Sequence, residues 1–142
     1  MPPPGAKTST ASHRVAFYET DAMGIVHHAN YIRFFELSRV VWLAEHDQPY
    51  TAYMESELNF ATTHAVVDYH QSARFDDELE ITTWVEWIRG ASLRMAYRIE
   101  CRGALLVTGA TEHAAVNPEG RVRRIPRENR ERIRRALGRD TG

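Results

Sequence analysis

Alternation of apolar and polar residues dominates the second half of the chain and predicts β-strands there. In residues 92–101 every second side chain is apolar or aromatic, and charged residues stand between most of them. The same alternation assigns one face of the preceding strand to Leu79, Ile81, Thr83, Val85 and Trp87. The predicted strands are 59–73, 79–88, 92–101 and 104–116. Four consecutive strands favour an antiparallel sheet.

A long segment in the first half has helical rather than alternating periodicity. Residues 29–46 predict an amphipathic helix roughly 27 Å long, at about 1.5 Å per residue. Arg33, Glu36 and Arg39 lie on its predicted polar face. The predicted apolar stripe comprises Tyr31, Phe34, Phe35, Leu37, Ser38, Val41, Trp42 and Ala44. A stripe this broad requires the helix to lie against the sheet.

The segments around this helix are shorter. Residues 13–20 alternate, with Val15, Phe17 and Glu19 on one face, and predict a first strand. Pro49 predicts a break before a second, short helix. A terminal helix is predicted with Pro126 near its start and Gly138 just past its end. The economical arrangement is an α+β fold in which the sheet curls around the long helix.

Length and composition predict a single domain. The chain has 142 residues, 43% of them hydrophobic and 26% charged. We expect the domain at 13–137, a disordered N-terminal tail at 1–12 and a C-terminal tail at 138–142. No apolar run approaches the roughly 18 residues of a membrane span, and no secretory signal is expected. Cys101 is the only cysteine, which favours a reducing compartment, and we expect the cytoplasm.

Charge is unevenly distributed along the chain. The net charge is −1, but the residues from Arg121 onward contain nine arginines against three acidic residues. A basic end is typical of a protein that binds an anionic ligand or nucleic acid, and also of a solvated helix. No helix-turn-helix, zinc-finger or RNA-binding signature accompanies it, so we expect no nucleic-acid partner. The seven histidines lack an accepted ligand spacing, and no metal site is expected.

Tyr18–Tyr31 carries the most informative motif of the chain, Y-x-T-D-A-x-G-x-V-H-H-A-N-Y. This stretch resembles the hotdog-fold acyl-CoA thioesterases of the 4-hydroxybenzoyl-CoA thioesterase type. Residues 73–81 and 122–126 are also similar to that family, and the resemblance spans about 14–126. It implies a hotdog fold, in which a five-stranded antiparallel sheet wraps around the long central helix. It also implies a homodimer or homotetramer, with the active site at a subunit interface and no cofactor.

The resemblance assigns roles to two residues of the motif. Asp21 matches the catalytic carboxylate, and His28 matches the residue whose backbone N–H holds the thioester carbonyl oxygen. Unpaired N–H groups at a helix start suit that role, because hydrolysis builds negative charge on this oxygen. Asp21 is either a nucleophile or a general base, and the sequence leaves both open. The remaining predicted site residues in the motif are Gly24, His27, Asn30 and Tyr31.

Arginines provide the expected contacts to the CoA phosphates, which guanidinium groups bind well. By position, the resemblance assigns this role to Arg89, Arg121 and Arg123. The spacing before Ile125-Pro126 is two residues shorter than in the family pattern. The identity of the acyl group, and the choice between CoA and an acyl-carrier protein, stay open.

Two alternatives use the same fold. Hotdog hydratases or dehydratases pair an Asp and a His five residues apart, whereas His27 and His28 follow Asp21 by six and seven residues. A non-catalytic module that binds acyl-CoA or an acyl carrier is the second alternative. Asp21 argues against it, since binding alone gains nothing from a carboxylate beside a thioester.

Overall fold

A five-stranded antiparallel sheet and one long helix form the centre of the fold, as predicted. The computed structural model describes residues 1–138, so the predicted C-terminal tail beyond Gly138 lies outside the described residues. The strands are β1 (Ser9–Arg14), β2 (Asn59–Tyr69), β3 (Glu78–Ile88), β4 (Ser92–Cys101) and β5 (Ala104–Val116). The helices are α1 (Asn30–His46), α2 (Tyr50–Glu55) and α3 (Arg127–Arg135). The strand order is β1-β3-β4-β5-β2, and every neighbouring pair is antiparallel.

The core forms where one face of α1 packs against the sheet. The buried side chains of this helix are Tyr31, Phe34, Phe35, Ser38, Trp42 and Leu43. The two predicted faces are wrong at their margins. Leu37 was assigned to the apolar stripe but is 42% exposed, and Arg39 was assigned to the polar face but is half-buried. At about 100° per residue, Arg39 lies beside the buried face, whereas Leu37 is turned away from it.

Gly109 in β5 allows α1 to approach the sheet closely. A Cβ atom at this position would lie 2.6 Å from the ring of Phe35 and 2.6 Å from the carbonyl oxygen of Val66. The Phe35 ring in turn stacks on Tyr97 of β4, with 4.2 Å between ring centroids. The glycine therefore makes room for the aromatic stack at the centre of the core.

The predicted faces of the sheet hold in β4 and fail at one point in β3. Leu93, Met95, Tyr97, Ile99 and Cys101 are all buried in β4. In β3 the register shifts between Val85 and Trp87, as in a β-bulge. The irregularity turns Ile88 inward and leaves Trp87 half-buried, so the predicted inward position of Trp87 is wrong.

The N-terminal predictions are wrong in position. β1 starts at Ser9, inside the segment predicted as a disordered tail, and pairs with β3. The predicted strand at 13–20 instead passes into a 3-10 helix (Phe17–Glu19), in which Phe17 is 75% exposed and Glu19 is buried. β1 has little apolar patterning because its main chain, rather than a row of apolar side chains, joins it to β3.

The predicted helix breaks are confirmed at their starts. Pro49 and Pro126 are the N-cap residues of α2 and α3. α3 ends at Arg135, earlier than the predicted end near Gly138. No helix within residues 1–138 combines the length and the apolar character needed to cross a membrane.

Candidate active site

A tight turn presents Asp21 to solvent just before α1. The main chain closes this turn through hydrogen bonds from Asp21 N to Ile25 O (2.9 Å) and from Gly24 N to Asp21 O (3.0 Å). Gly24 has φ +77°, a left-handed backbone conformation that residues other than glycine rarely adopt. The Met23 N–H donates to Oδ1 of Asp21 at 2.8 Å. This bond orients the exposed carboxylate and leaves Oδ2 available.

Glu19 fixes the turn to the rest of the fold. Its side chain is buried, and Oε1 accepts from the Ala16 N–H at 2.7 Å and pairs with His13 Nε2 at 2.8 Å. Its carbonyl oxygen accepts from the His27 N–H and from the Asn30 side chain, each at 2.9 Å. Glu19 therefore connects the end of β1 to the start of α1, with Asp21 held between them.

The start of α1 has a free main-chain donor. The N-cap residue Ala29 has no side chain that could cap the helix, and within residues 1–138 the His28 N–H has no acceptor. The neighbouring Ala29 N–H donates to His27 Nδ1 at 3.2 Å, and the His28 carbonyl accepts from the Tyr69 hydroxyl at 3.3 Å. An exposed, unused N–H at a helix start binds a negatively charged oxygen well.

Asp21 and His28 line the same open cleft, which has a volume of about 250 Å³. The rings of His27 and His28 stack at its edge, 4.3 Å apart between centroids. The other lining residues are Ile25, Val26, Tyr31, Tyr69, Gln71 and Ser72. The last three come from the end of β2 and the segment after it, and the sequence analysis missed them because no motif marks that stretch.

Of the other predicted motif residues, Tyr31 lines the cleft, whereas Gly24 and Asn30 support it. Tyr31 is buried, and its hydroxyl accepts a hydrogen bond from the Ala73 N–H at 3.1 Å. Burial raises the pKa of Tyr31, and the Ala73 hydrogen bond opposes this rise in part. Gly24 and Asn30 are not among the lining residues. They hold the turn and the helix start in place.

Comparison with known proteins identifies the family. A sequence model of the thioesterase-like superfamily matches residues 15–136. The chain belongs to the thioesterase-like superfamily. The predicted resemblance to hotdog-fold acyl-CoA thioesterases is thereby confirmed at the level of the family and the fold.

Relatives in this superfamily include proteins from several bacteria. The Haemophilus influenzae protein named "Acyl-CoA thioesterase YbgC" is 32% identical over 113 residues, covering 79% of this chain and 82% of that protein. The Escherichia coli O6:H1 "Acyl-CoA thioester hydrolase YbgC" is 40% identical over 86 residues, covering 61% of this chain and 64% of that protein. The crystal structure of the hypothetical protein TT1821 from Thermus thermophilus matches with a TM-score of 0.85 at 29% identity, covering 90% of this chain and 96% of that one.

The arginines predicted to bind phosphate lie far from Asp21 in this thioesterase-like chain. Arg89 follows the end of β3, and the Arg123 N–H donates to the Ala115 carbonyl at 2.8 Å. Ala115 pairs with Phe60 at the start of β2, whereas the cleft lies beside Tyr69 at its end. These two ends of β2 are roughly 30 Å apart, at about 3.3 Å per residue. One protomer therefore does not bring the arginines to its own Asp21.

The arginine end of the sheet includes a fourth guanidinium that the sequence analysis did not select. A Cβ atom at Gly90 would lie 3.2 Å from Nη1 of Arg124, so the glycine provides the space in which this guanidinium lies. Arg89 lies over the ring of Trp87, 4.0 Å from its centroid. Arg121 follows the turn after β5, where its N–H donates to the Asn117 side chain at 2.8 Å. These four residues give this end of the sheet a positive charge. They are Arg89, Arg121, Arg123 and Arg124.

Proposed function

We propose that this chain hydrolyses an acyl-CoA thioester to a free acid and CoA. The observation that carries the proposal is that Asp21 and His28 line one cleft at the start of α1, with Oδ2 of Asp21 and the His28 N–H both without a hydrogen-bond partner within residues 1–138. A thioester carbonyl oxygen bound to the His28 N–H gains stabilisation as its negative charge develops. Such preorganised donors contribute about 3 kcal/mol each in acyl-transfer sites. The names of the Haemophilus and Escherichia relatives support CoA as the thiol.

Asp21 supplies the second part of the reaction in one of two ways. As a nucleophile, its free Oδ2 attacks the carbonyl carbon, the C–S bond breaks, and water then hydrolyses the mixed anhydride. As a general base, it removes a proton from the water that attacks the same carbon. The hydrogen bond from Met23 to Oδ1 suits both routes, because it orients the carboxylate without occupying Oδ2.

We keep the cytoplasm as the proposed location, in agreement with the single cysteine.

The test of this function is thiol release from a panel of substrates. The wild-type protein is expected to release thiol from at least one acyl-CoA in a panel of aromatic, branched, medium-chain and long-chain acyl groups. A matching acyl-carrier-protein substrate is assayed beside each acyl-CoA, so that the preferred thiol carrier emerges. Failure to release thiol from any substrate contradicts the proposal and supports the non-catalytic binding module.

A homodimer or homotetramer would complete this site. β2 is an edge strand that pairs with β5 on one side, and most of its side chains are exposed. An exposed edge of this length offers unpaired N–H and C=O groups to another strand. Antiparallel pairing of β2 with β2 of a second copy brings the Phe60 end of one strand beside the Tyr69 end of the other. The arginines of one subunit would then lie near the Asp21 cleft of its neighbour.

Mixed dimers test this composite arrangement. We expect Asp21→Asn and the double variant Arg89→Ala/Arg123→Ala each to have low kcat/KM as pure proteins. In each mixed dimer half of the sites regain both parts, so purified mixed dimers are expected to have about half of the wild-type kcat/KM per site. No recovery in purified mixed dimers would mean that a subunit uses its own arginines. That result would contradict the composite site and leave the thiol-release test of the reaction standing.

A further inference from the structure

A second cavity lies beside α1, away from the Asp21 cleft. Its volume is about 90 Å³, several times the roughly 10–15 Å³ that one water molecule requires. Arg39 lines it, and this residue is roughly 12 Å further along the helix than Tyr31, at about 1.5 Å per residue. The lining is apolar apart from Glu36, Arg39 and His113, and comprises Val40, Leu43, Tyr50, Phe60, Leu93 and Met95.

A chain of hydrogen bonds connects Arg39 and His113, two of the polar residues that line this cavity. Arg39 Nη1 donates to the Tyr97 hydroxyl at 3.3 Å, and this hydroxyl is 2.6 Å from Thr111 Oγ1. Thr111 Oγ1 is 2.7 Å from His113 Nε2, and His113 Nδ1 is 3.2 Å from Thr62 Oγ1. Burial, with a smaller effect of the Arg39 charge, lowers the pKa of His113 to about 3, so the ring is neutral near pH 7.

One direction of this chain satisfies all of its members. Arg39 donates to the Tyr97 oxygen, and the direction that uses each proton once has the Tyr97 hydroxyl donating to Thr111 and Thr111 donating to Nε2 of His113. A neutral imidazole that accepts at Nε2 donates from Nδ1, here to Thr62. Every member is thus satisfied without an added ligand, with one exception. Arg39 uses a single recorded side-chain hydrogen bond, while a guanidinium has five N–H donors.

Arg39 has positive charge without a matching carboxylate. Within residues 1–138 no ion pair joins its guanidinium to an acidic side chain, although the side chain is half-buried. Glu36 also lines the cavity, but it is exposed, so water and salt screen its charge. A guanidinium beside an apolar cavity pairs well with an anion whose two oxygens match its fork.

We propose that this cavity binds a small carboxylic acid in its ionised form, with the carboxylate on Arg39 and an aromatic or branched apolar body against Val40, Leu93 and Met95. The site is separate from the Asp21 cleft of the same protomer. Acids of this class are also products of thioester hydrolysis. If the proposed function holds, the released acid is one natural occupant, but binding itself does not depend on that reaction.

Titration with small acids tests the proposal without any thioester. Benzoate and 3-methylbutanoate are added to the full-length protein at constant ionic strength, and amide NMR shifts and calorimetry report binding. Benzamide is the neutral control of the same shape. We expect saturable binding of at least one acid, weak or no binding of benzamide, and the largest shifts at Leu93, Met95 and His113. Arg39→Gln is expected to weaken acid binding by about 10- to 100-fold.

Two further variants separate this site from the catalytic proposal. Asp21→Asn should bind the acids as the wild type does, whereas Val40→Phe, at a position that is 42% exposed, should fill the cavity and abolish binding. If Arg39→Gln does not fold, Val40→Phe provides the comparison. The proposal is overturned if the wild type binds neither acid, if folded Arg39→Gln or Val40→Phe binds as the wild type does, or if Asp21→Asn loses binding. None of these results bears on thiol release from acyl-CoA.

Discussion

Asp21→Asn is expected to lower kcat by about two to four orders of magnitude, the contribution typical of an acid–base group in an active site. The amide has nearly the same shape as the carboxylate, and its oxygen still accepts from the Met23 N–H, so the turn should persist. It cannot attack the thioester carbon or remove a proton from water. Initial rates of thiol release on the best acyl-CoA of the panel, with circular dichroism to verify folding, measure the effect.

Asp76→Asn is the matched control for this variant. Asp76 is an exposed carboxylate in a neighbouring loop, where the Phe75 N–H contacts the Gly24 carbonyl, but it does not line the cleft. It has φ 69°, a conformation that asparagine tolerates. We expect kcat within about twofold of the wild type for Asp76→Asn, because the side chain does not line the cleft and a surface substitution of this kind changes stability little. Near-normal turnover by Asp21→Asn would contradict a role for Asp21 as nucleophile or general base.

Asp47→Ala is expected to produce a large loss of stability, about 3 kcal/mol of unfolding free energy. The Asp47 carboxylate has no exposed surface and joins three helices. Oδ1 accepts from Asn129 at 3.0 Å and from Arg132 at 2.9 Å, and Oδ2 accepts from the Tyr53 hydroxyl. Burial is the largest cause that raises the pKa of Tyr53, followed by its hydrogen bond to Asp47. Removing the carboxylate leaves these three donors without their shared acceptor.

Glu131→Ala is the control for that measurement. Glu131 pairs with Arg127 at 3.0 Å, close to the distance between Asp47 and Arg132, but both partners are well exposed. Exposed pairs on one helix contribute about 0.5 kcal/mol or less. Urea denaturation of the two variants and the wild type compares them directly. Equal losses would mean that the buried carboxylate does not hold the helices together.

The sequence was most informative where side-chain pattern and burial coincide. α1, β4 and β5 begin and end within about one residue of their predicted limits, because their apolar periodicity is set by contact with one core. β1 was displaced because Ser9–Arg14 has few apolar residues and joins the sheet through its main chain. Hydrophobic patterning does not report that kind of pairing. The bulge in β3 is likewise a backbone event, and it changed the assignment of Trp87.

In the candidate site, residues that are close in sequence were predicted, and residues that only the fold brings together were missed. Asp21, Gly24 and His28 are close in sequence, so one motif and one turn suffice to place them near the helix start. The contributions of Tyr69, Gln71 and Ser72 to the cleft depend on where β2 ends in space. Arg39 was assigned to a solvated face, because sequence spacing does not reveal that it borders a cavity. The roles of the predicted residues in catalysis remain predictions until the variants are measured.

The geometry at the start of α1 is tested most directly by a crystal structure with a stable ketone analogue of an acyl-CoA, in which a methylene group replaces the thioester sulfur. The account predicts the ketone oxygen about 3 Å from the His28 nitrogen, and an Asp21 carboxylate oxygen roughly 3–3.5 Å from the carbonyl carbon or from a water beside it. An analogue whose carbonyl group contacts neither residue in any subunit would contradict the account.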